Sequence, residues 1–305
     1  MTAALVFGDD VRAALEAGGA AVALETSVIG QGLPHPRNVE CVERMGAAIR
    51  GAGAVPAWVG VADGRVVVGL GDDDLARFTT PGAAVKVARR DLPAAAAAGV
   101  LGATTVSATV WAAARAGVRV GATGGIGGVH PGDGPDVSAD LLELATSPGL
   151  LVCSGPKSIV DPVATAERLE ELGVALVGYG VDRLPFFLAR EAPVELEHRV
   201  DTPAEAAALA IAASRLDVRS TLLVCNPVPD ALAMDAGEIA RASAAAEVRA
   251  DAAGALGKAR TPFLLAALAD LTGGRSLEAN LALLEGNARV AGEIAAALAA
   301  AAADA

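Results

Sequence analysis

Lys86, Lys157 and Lys258 are the only lysines in the chain, while arginine supplies the other 21 of its 24 cations. A chain that uses arginine for ordinary surface charge leaves lysine for work arginine cannot do. Only an amine can lose its proton near neutral pH and add to a carbon to form an imine. Lys157 lies in Leu151-Val152-Cys153-Ser154-Gly155-Pro156-Lys157-Ser158, an apolar strand running into a Gly-Pro turn. In a parallel sheet that turn falls at the carboxyl edge, where active sites are built. Lys86 precedes Arg89-Arg90-Asp91 in a basic cluster that suits an anion or a solvated cationic face. Lys258 has no comparable setting.

Glu25 closes the apolar run Ala21-Val22-Ala23-Leu24, so an acid also lies just beyond a strand. A carboxylate in such a place can have a raised pKa and deliver protons. The amine and the acid together fit an imine-forming lyase, and they also fit a structural pair. The run Gly121-Ala122-Thr123-Gly124-Gly125-Ile126-Gly127-Gly128-Val129-His130 has neither the GxGxxG nor the GxxxxGK[ST] order. Its bare amides suit a single phosphate, or a tight turn. His130 reads either as a turn histidine or as a proton-handling or phosphate-contacting one; His35 and His198 have weaker settings. Asp133 and Asp140 follow turn residues, where acids cap helices, and Asp140 is placed to cap Leu141–Ala145. Trp58 and Trp111 sit among apolar neighbours and read as core.

The elements that must position these residues are short apolar runs alternating with longer helical stretches. Strands are expected at Val22–Leu24, Trp58–Val61, Val66–Val68, Thr104–Val106, Val118–Gly121, Leu150–Cys153, Ala175–Tyr179 and Thr221–Cys225. Asp63-Gly64 marks a hairpin between the second and third. Helix starts are expected at Asp161-Pro162, at Thr202-Pro203 with Glu205 in the capping-box position, and at Thr261-Pro262. Leu277–Ala303 reads as one long Ala-rich helix with fraying terminal alanines. The pattern predicts an α/β fold: a single layered α/β/α sandwich with a mostly parallel sheet and a small antiparallel excursion, residues 1–305 forming one catalytic domain. With 53% hydrophobic residues but only 3% aromatic ones, its core is built from many small side chains.

A net charge of −12 and a pI near 4.7 exclude a broad surface for polymeric nucleic acid, though not a site for one phosphate. Cys41, Cys153 and Cys225 are far apart, form no metal-knuckle spacing and read as buried hydrophobes in a reducing cytoplasm. Asp9 and Asp10 precede any apolar run, unlike a secretory signal. The uncharged stretch Pro93–Ala114 carries four hydroxyl residues and reads as buried helix, strand and helix, not as a membrane span.

Several blocks together carry a more specific signal. Leu24–Pro34, Lys86–Leu92, Gly128-Val129-His130, Asp136–Asp140, Ser154–Ser158, Thr261–Leu265 and Leu277–Asn280 resemble, in the same order, the pseudouridine-5'-phosphate glycosidase family, which includes proteins labelled indigoidine synthase A. The resemblance implies reversible cleavage of pseudouridine 5'-phosphate to uracil and ribose 5-phosphate by a homotrimer. It implies Glu25 as proton donor, Lys157 as imine-forming nucleophile, and Asp136 as ligand of one manganese ion. Lys86, Val106, Ser138, Ala139 and Asp140 are implied substrate contacts, and His130 and Asn280 match active-site positions. Two other readings stay open: an aldolase-like Schiff-base lyase acting on a phosphorylated sugar, and a non-glycosidase biosynthetic relative.

Overall fold

A computed structural model describes residues 5–132 and 136–303; Asp133 lies outside them. The strands are β1 (Leu5–Phe7), β2 (Ala21–Glu25), β3 (Val55–Ala62), β4 (Arg65–Val68), β5 (Val85–Val87), β6 (Gly102–Thr104), β7 (Val120–Ala122), β8 (Gly149–Cys153), β9 (Leu176–Tyr179), β10 (His198–Val200) and β11 (Thr221–Cys225). The helices are α1 (Asp9–Glu16), α2 (Arg37–Gly51), α3 (Asp72–Thr79), α4 (Leu92–Ala98), α5 (Val106–Ala116), α6 (Ala139–Thr146), α7 (Pro162–Glu171), α8 (Pro203–Arg215), α9 (Ala236–Ala252), α10 (Arg260–Leu271) and α11 (Arg275–Ala303).

All the strands join one sheet in the order β1-β4-β3-β2-β7-β8-β11-β9-β10, with β6 beside β3 and β5 beside β6. Alternate side chains of β2 serve opposite faces, as the pleat requires. Val22 and Leu24 join a core with Met45 and Ile49 of α2 and Leu283, Leu284 and Ile294 of α11. Ala21 and Ala23 instead meet Ala108 and Ala112 of α5. Helices therefore cover both faces. Each large apolar side chain so buried contributes about 1.5–3 kcal/mol, more than helix propensity supplies to α11.

The expected hairpin is present: β3 and β4 are antiparallel, and Asp63 and Gly64 take the left-handed φ values of 50° and 74° that a tight two-residue turn needs. A second antiparallel contact, β3 with β6, was not anticipated. The run expected as a strand over Thr104–Val106 divides instead, with Thr104 ending β6 and Val106 opening α5. Thr261-Pro262 does not start its helix. α10 begins at Arg260, and Pro262 is tolerated in the first turn because amides there lack intrahelical acceptors.

Asp161 caps α7 through Val163 N and Ala164 N, and Thr202 with Glu205 forms the capping box of α8. Pro93–Ala114 folds as helix, strand and helix, and no helix described is long and apolar enough to cross a membrane. The three cysteines are free and buried, and burial pushes the Cys41 thiol up to about 12. Trp58 is core, whereas Trp111 is only partly buried, with the Arg115 guanidinium 4.3 Å from its ring centre.

Candidate active site

β2, β7 and β8 are neighbours and parallel, so their C-terminal ends reach one edge together. The chain builds outward from β2 through β3 and β4, then returns to β7 on its other side. That reversal opens a crevice beyond the strand ends. Glu25 ends β2, the Gly-rich run leaves β7, and Ser154–Lys157 leave β8. The resulting cleft is lined by all ten residues singled out from the sequence: Glu25, Lys86, Val106, His130, Asp136, Ser138, Ala139, Asp140, Lys157 and Asn280. His35 and His198 are exposed and lie elsewhere.

Glu25 is 5% exposed. Its carboxylate accepts from Ser27 Oγ at 2.5 Å and from Thr123 Oγ1. A hydroxyl can donate to a carboxylate or accept from the protonated acid, so the same two contacts orient Glu25 in either state. After Glu25 the chain makes one wide turn, Val28–Gly32, closed by Leu33 N on Val28 O at 2.9 Å. This turn brings Gln31 to the cleft, where its Nε2 donates to Ala84 O at 2.8 Å.

The Lys157 backbone is pinned by its N–H on Ile126 O at 2.9 Å, and its Nζ donates to Gly125 O. Gly155, at φ 76°, makes the turn that delivers it; a β-carbon there would strike Pro185 O. Lys86 reaches the cleft from β5, and its amine is held below the ordinary lysine value by burial and then by the Lys157 cation. The two amines are therefore electrostatic neighbours. Lys258, which looked unplaced in the sequence, lines the same cleft, so all three lysines converge there. Its Nζ pairs with Asp91 Oδ2 at 2.8 Å. Burial pushes the Asp91 carboxyl up, but Lys258 and the Ala88 amide outweigh it and hold the group below its usual value.

Asp140 does not cap its own helix. Ser138 is the N-cap of α6 and accepts from Asp140 N at 3.2 Å. The buried Asp140 carboxylate instead accepts from Ser107 N and Gly127 N, each at 3.0 Å, tying the start of α5 to the Gly-rich loop. Gly127 must be bare, because a β-carbon there would collide with the Ser138 side chain. Val106, the first residue of α5, and Ala139 complete this wall.

His130 and Asp136 are joined through the backbone, His130 N donating to Asp136 O at 2.9 Å. His130 Nδ1 is buried without a hydrogen-bond partner among the described residues. Asp136 presents an exposed carboxylate at the cleft, and no three His, Cys, Asp or Glu residues gather as a metal cage among the described residues. Asp136 alone supplies a hard oxygen donor, so a divalent ion held there would have to take the rest of its shell from water and ligand oxygen. Asn280, 8% exposed, comes from α11. Arg90, read in the sequence as part of the basic cluster that follows Lys86, lines the cleft too, and so do Thr123, Ser27 and Phe187, which were missed. For Lys258 the scarcity of lysine was a usable signal; the others carry none at short range.

A family profile described as indigoidine synthase A like protein matches residues 10–297. The pseudouridine-5'-phosphate glycosidase of Methylobacterium nodulans is 49% identical over 296 residues, covering 96% of this chain and 88% of that one. Its counterpart from Saccharopolyspora erythraea is 45% identical, with 96% and 98% covered. Among solved structures, the prealnumycin C-glycosynthase AlnA, in complex with ribulose 5-phosphate, is 41% identical and superposes with a TM-score of 0.89 over 99% of both chains. An indigoidine synthase A-like protein from Thermotoga maritima is 38% identical, with a TM-score of 0.89 over 97% of this chain and 96% of that one. With the profile spanning nearly the whole sequence and relatives close to half identical, the chain belongs to the indigoidine synthase A-like family, that of the pseudouridine-5'-phosphate glycosidases.

Proposed function

We propose that this protein reversibly cleaves the carbon-carbon bond of pseudouridine 5'-phosphate to give uracil and ribose 5-phosphate, through an imine on Lys157. The observation that carries the reading is the meeting of Glu25, Lys86 and Lys157 in one cleft at the carboxyl edge of the sheet. An ordinary glycosidase protonates a lone pair on its leaving group and needs two carboxylates. A carbon leaving group offers no lone pair, so an amine is required. Glu25 protonates the ribose ring oxygen, and the C1'–O bond opens. The neutral Lys157 amine adds at C1' and sheds a proton. The uracil carbon takes a proton on the pair of its ring C=C bond; the nitrogen lone pair then forms C1'=N as the C1'–C bond breaks, and the electrons of that bond restore the ring double bond of uracil. Water hydrolyses the iminium, releasing ribose 5-phosphate and the free amine. Lys86, with Val106 and Ser138–Asp140 beside it, holds the sugar phosphate. His130 and Asn280 contact the bound substrate.

Incubation with pseudouridine 5'-phosphate, borohydride trapping and mass mapping test the reading. Uracil release with a ribose phosphate adduct on Lys157, both lost in Lys157→Ala, is the expected result. No uracil from folded wild-type protein would move the assignment to a second reading. The likeness to a C-glycosynthase favours C-glycoside formation on an acceptor other than uracil, read out by consumption of ribose 5-phosphate with that acceptor and not with uracil.

A manganese ion on Asp136 belongs to the same proposal. It would supply positive charge to orient a phosphorylated ligand, its remaining shell being water; loss of manganese binding in Asp136→Asn, followed by the metal's own magnetic resonance signal, is the check. Assembly as a homotrimer of single catalytic domains rests on the family resemblance and is tested by light scattering. Residence in the cytoplasm is supported by three free, buried cysteines.

A further inference from the structure

Asn280 and Asn287 are seven residues apart on α11, two turns along one face. Asn280 lines the cleft, while Asn287 lies behind the wall and is fully buried. Its Nδ2 donates to Thr123 O at 2.8 Å and to Ser154 Oγ at 3.0 Å, with Gly124 O at 3.3 Å. Its Oδ1 accepts from Asn226 Nδ2 at 2.9 Å. One amide thus joins the chain leaving β7, the chain leaving β8 and the chain leaving β11. Only an amide offers a forked donor and an acceptor at one carbon, so neither Asp nor Leu reproduces the set.

What the amide holds is the backbone that orients both reactive groups. Thr123, whose carbonyl it grips, sends its hydroxyl to Glu25. Two residues on, Gly125 O receives the Lys157 amine. Ser154, gripped on the other side, opens the turn that delivers Lys157, and Ser154 N donates to Gly124 O at 2.8 Å. We infer that Asn287 is a positioning residue for catalysis, setting the acid and the amine against each other from a place that touches no ligand. This rests on the glycosidase reading above.

The test compares Asn287→Asp and Asn287→Ala with wild type for uracil release across pH, alongside circular dichroism and melting. Asn287→Asp keeps the acceptor and loses the donor while it is ionised. Folded Asn287→Asp is expected to lose about 10–100-fold in kcat with KM little changed, since small misplacements of reacting groups act on the chemical step. As pH falls, its buried carboxyl gains a proton and donates to Thr123 O again, so its deficit relative to wild type shrinks. Asn287→Ala shows no such recovery. A kcat within twofold of wild type, or a deficit independent of pH in both variants, overturns the inference. If neither variant folds, Asn226→Ala, which frees the Asn287 amide to turn, carries the test: an unchanged kcat overturns the inference, and a several-fold fall at constant KM supports it. Wild type that releases no uracil sinks the glycosidase reading itself; active wild type matched by its variants sinks only the role of Asn287.

Discussion

The two halves of the sheet reach the same cleft by different means. In the half built from β7, β8, β11, β9 and β10, every pairing is parallel, and the loops carrying Lys157 interlock through the backbone. Ile126 N meets Gly155 O at 3.1 Å, and Lys157 N meets Ile126 O at 2.9 Å. The other half is mixed, and there side chains do the joining. β3 pairs with β2 over Val55–Val59 and with β6 over Gly60–Val61, so one edge of β3 passes from one strand to the other. At that junction Thr26 Oγ1 donates to Val59 O at 2.7 Å and accepts from Thr104 N at 2.9 Å. The amine therefore stands on interlocked main chain braced by the one Asn287 amide, whereas the acid stands on the Ser27 and Thr123 hydroxyls, which single substitutions remove.

The sharpest way to break the comparison is at the acid. Glu25→Gln is expected to lower kcat for uracil release by about 10²–10⁴-fold, the usual worth of a positioned proton donor. Added ribose 5-phosphate, whose open form already carries an aldehyde, should still be trapped on Lys157 by borohydride. Loss of that adduct would show that the acid also positions the amine.

Next is Lys86. Lys86→Met should reduce kcat/KM by about 10–100-fold, the worth of one charge-assisted contact. Because burial and Lys157 depress its pKa, wild-type kcat/KM should fall as pH rises through that lowered value, below the ordinary lysine range. Lys86→Arg should lack this limb, since guanidinium does not titrate there. The sign for stability is opposite to that of an ion pair. A folded-state pKa below the unfolded one means the charge is held at a cost at lower pH, and the cost is relieved as pH rises. Lys86→Met should therefore melt no lower than wild type at neutral pH.

Thr26→Val tests the hydroxyl junction. It leaves Thr104 N without its acceptor and should cost about 1–3 kcal/mol in urea unfolding. The smallest effect is expected for Lys258→Ala. Its ion pair with Asp91 is half-exposed, so about 0.2–1 kcal/mol in stability is at stake. A several-fold rise in KM without a change in kcat would assign Lys258 to substrate capture.

Long apolar runs such as those of β2, β3, β8 and β11 were legible because burial on both faces leaves a continuous signal. The three-residue strands β1, β5 and β10 were not, since such a length carries no period; β5 nevertheless carries Lys86. Thr104-Thr105-Val106 looked uniformly β because its residues are β-branched, yet tertiary contacts turn the chain into α5 after Thr104. Lys86 and Lys157 could be found as members of a rare residue type, and Glu25 as an acid closing an apolar run. Asp140 was found, but its reading as a helix cap fails because its partners, Ser107 and Gly127, belong to other elements. Asn287 is joined to Thr123 across 164 positions, a distance over which local pattern says nothing.

That separation has a consequence for the order in which the protein is made. β2, β7 and β8 leave the ribosome well before α11, which packs beneath their edge and brings Asn280 and Asn287. A nascent chain halted after Lys157 holds the acid and the amine but not the helix that braces them. Synthesis thus supplies the brace only after both groups have emerged, and the cleft takes its final geometry when α11 docks.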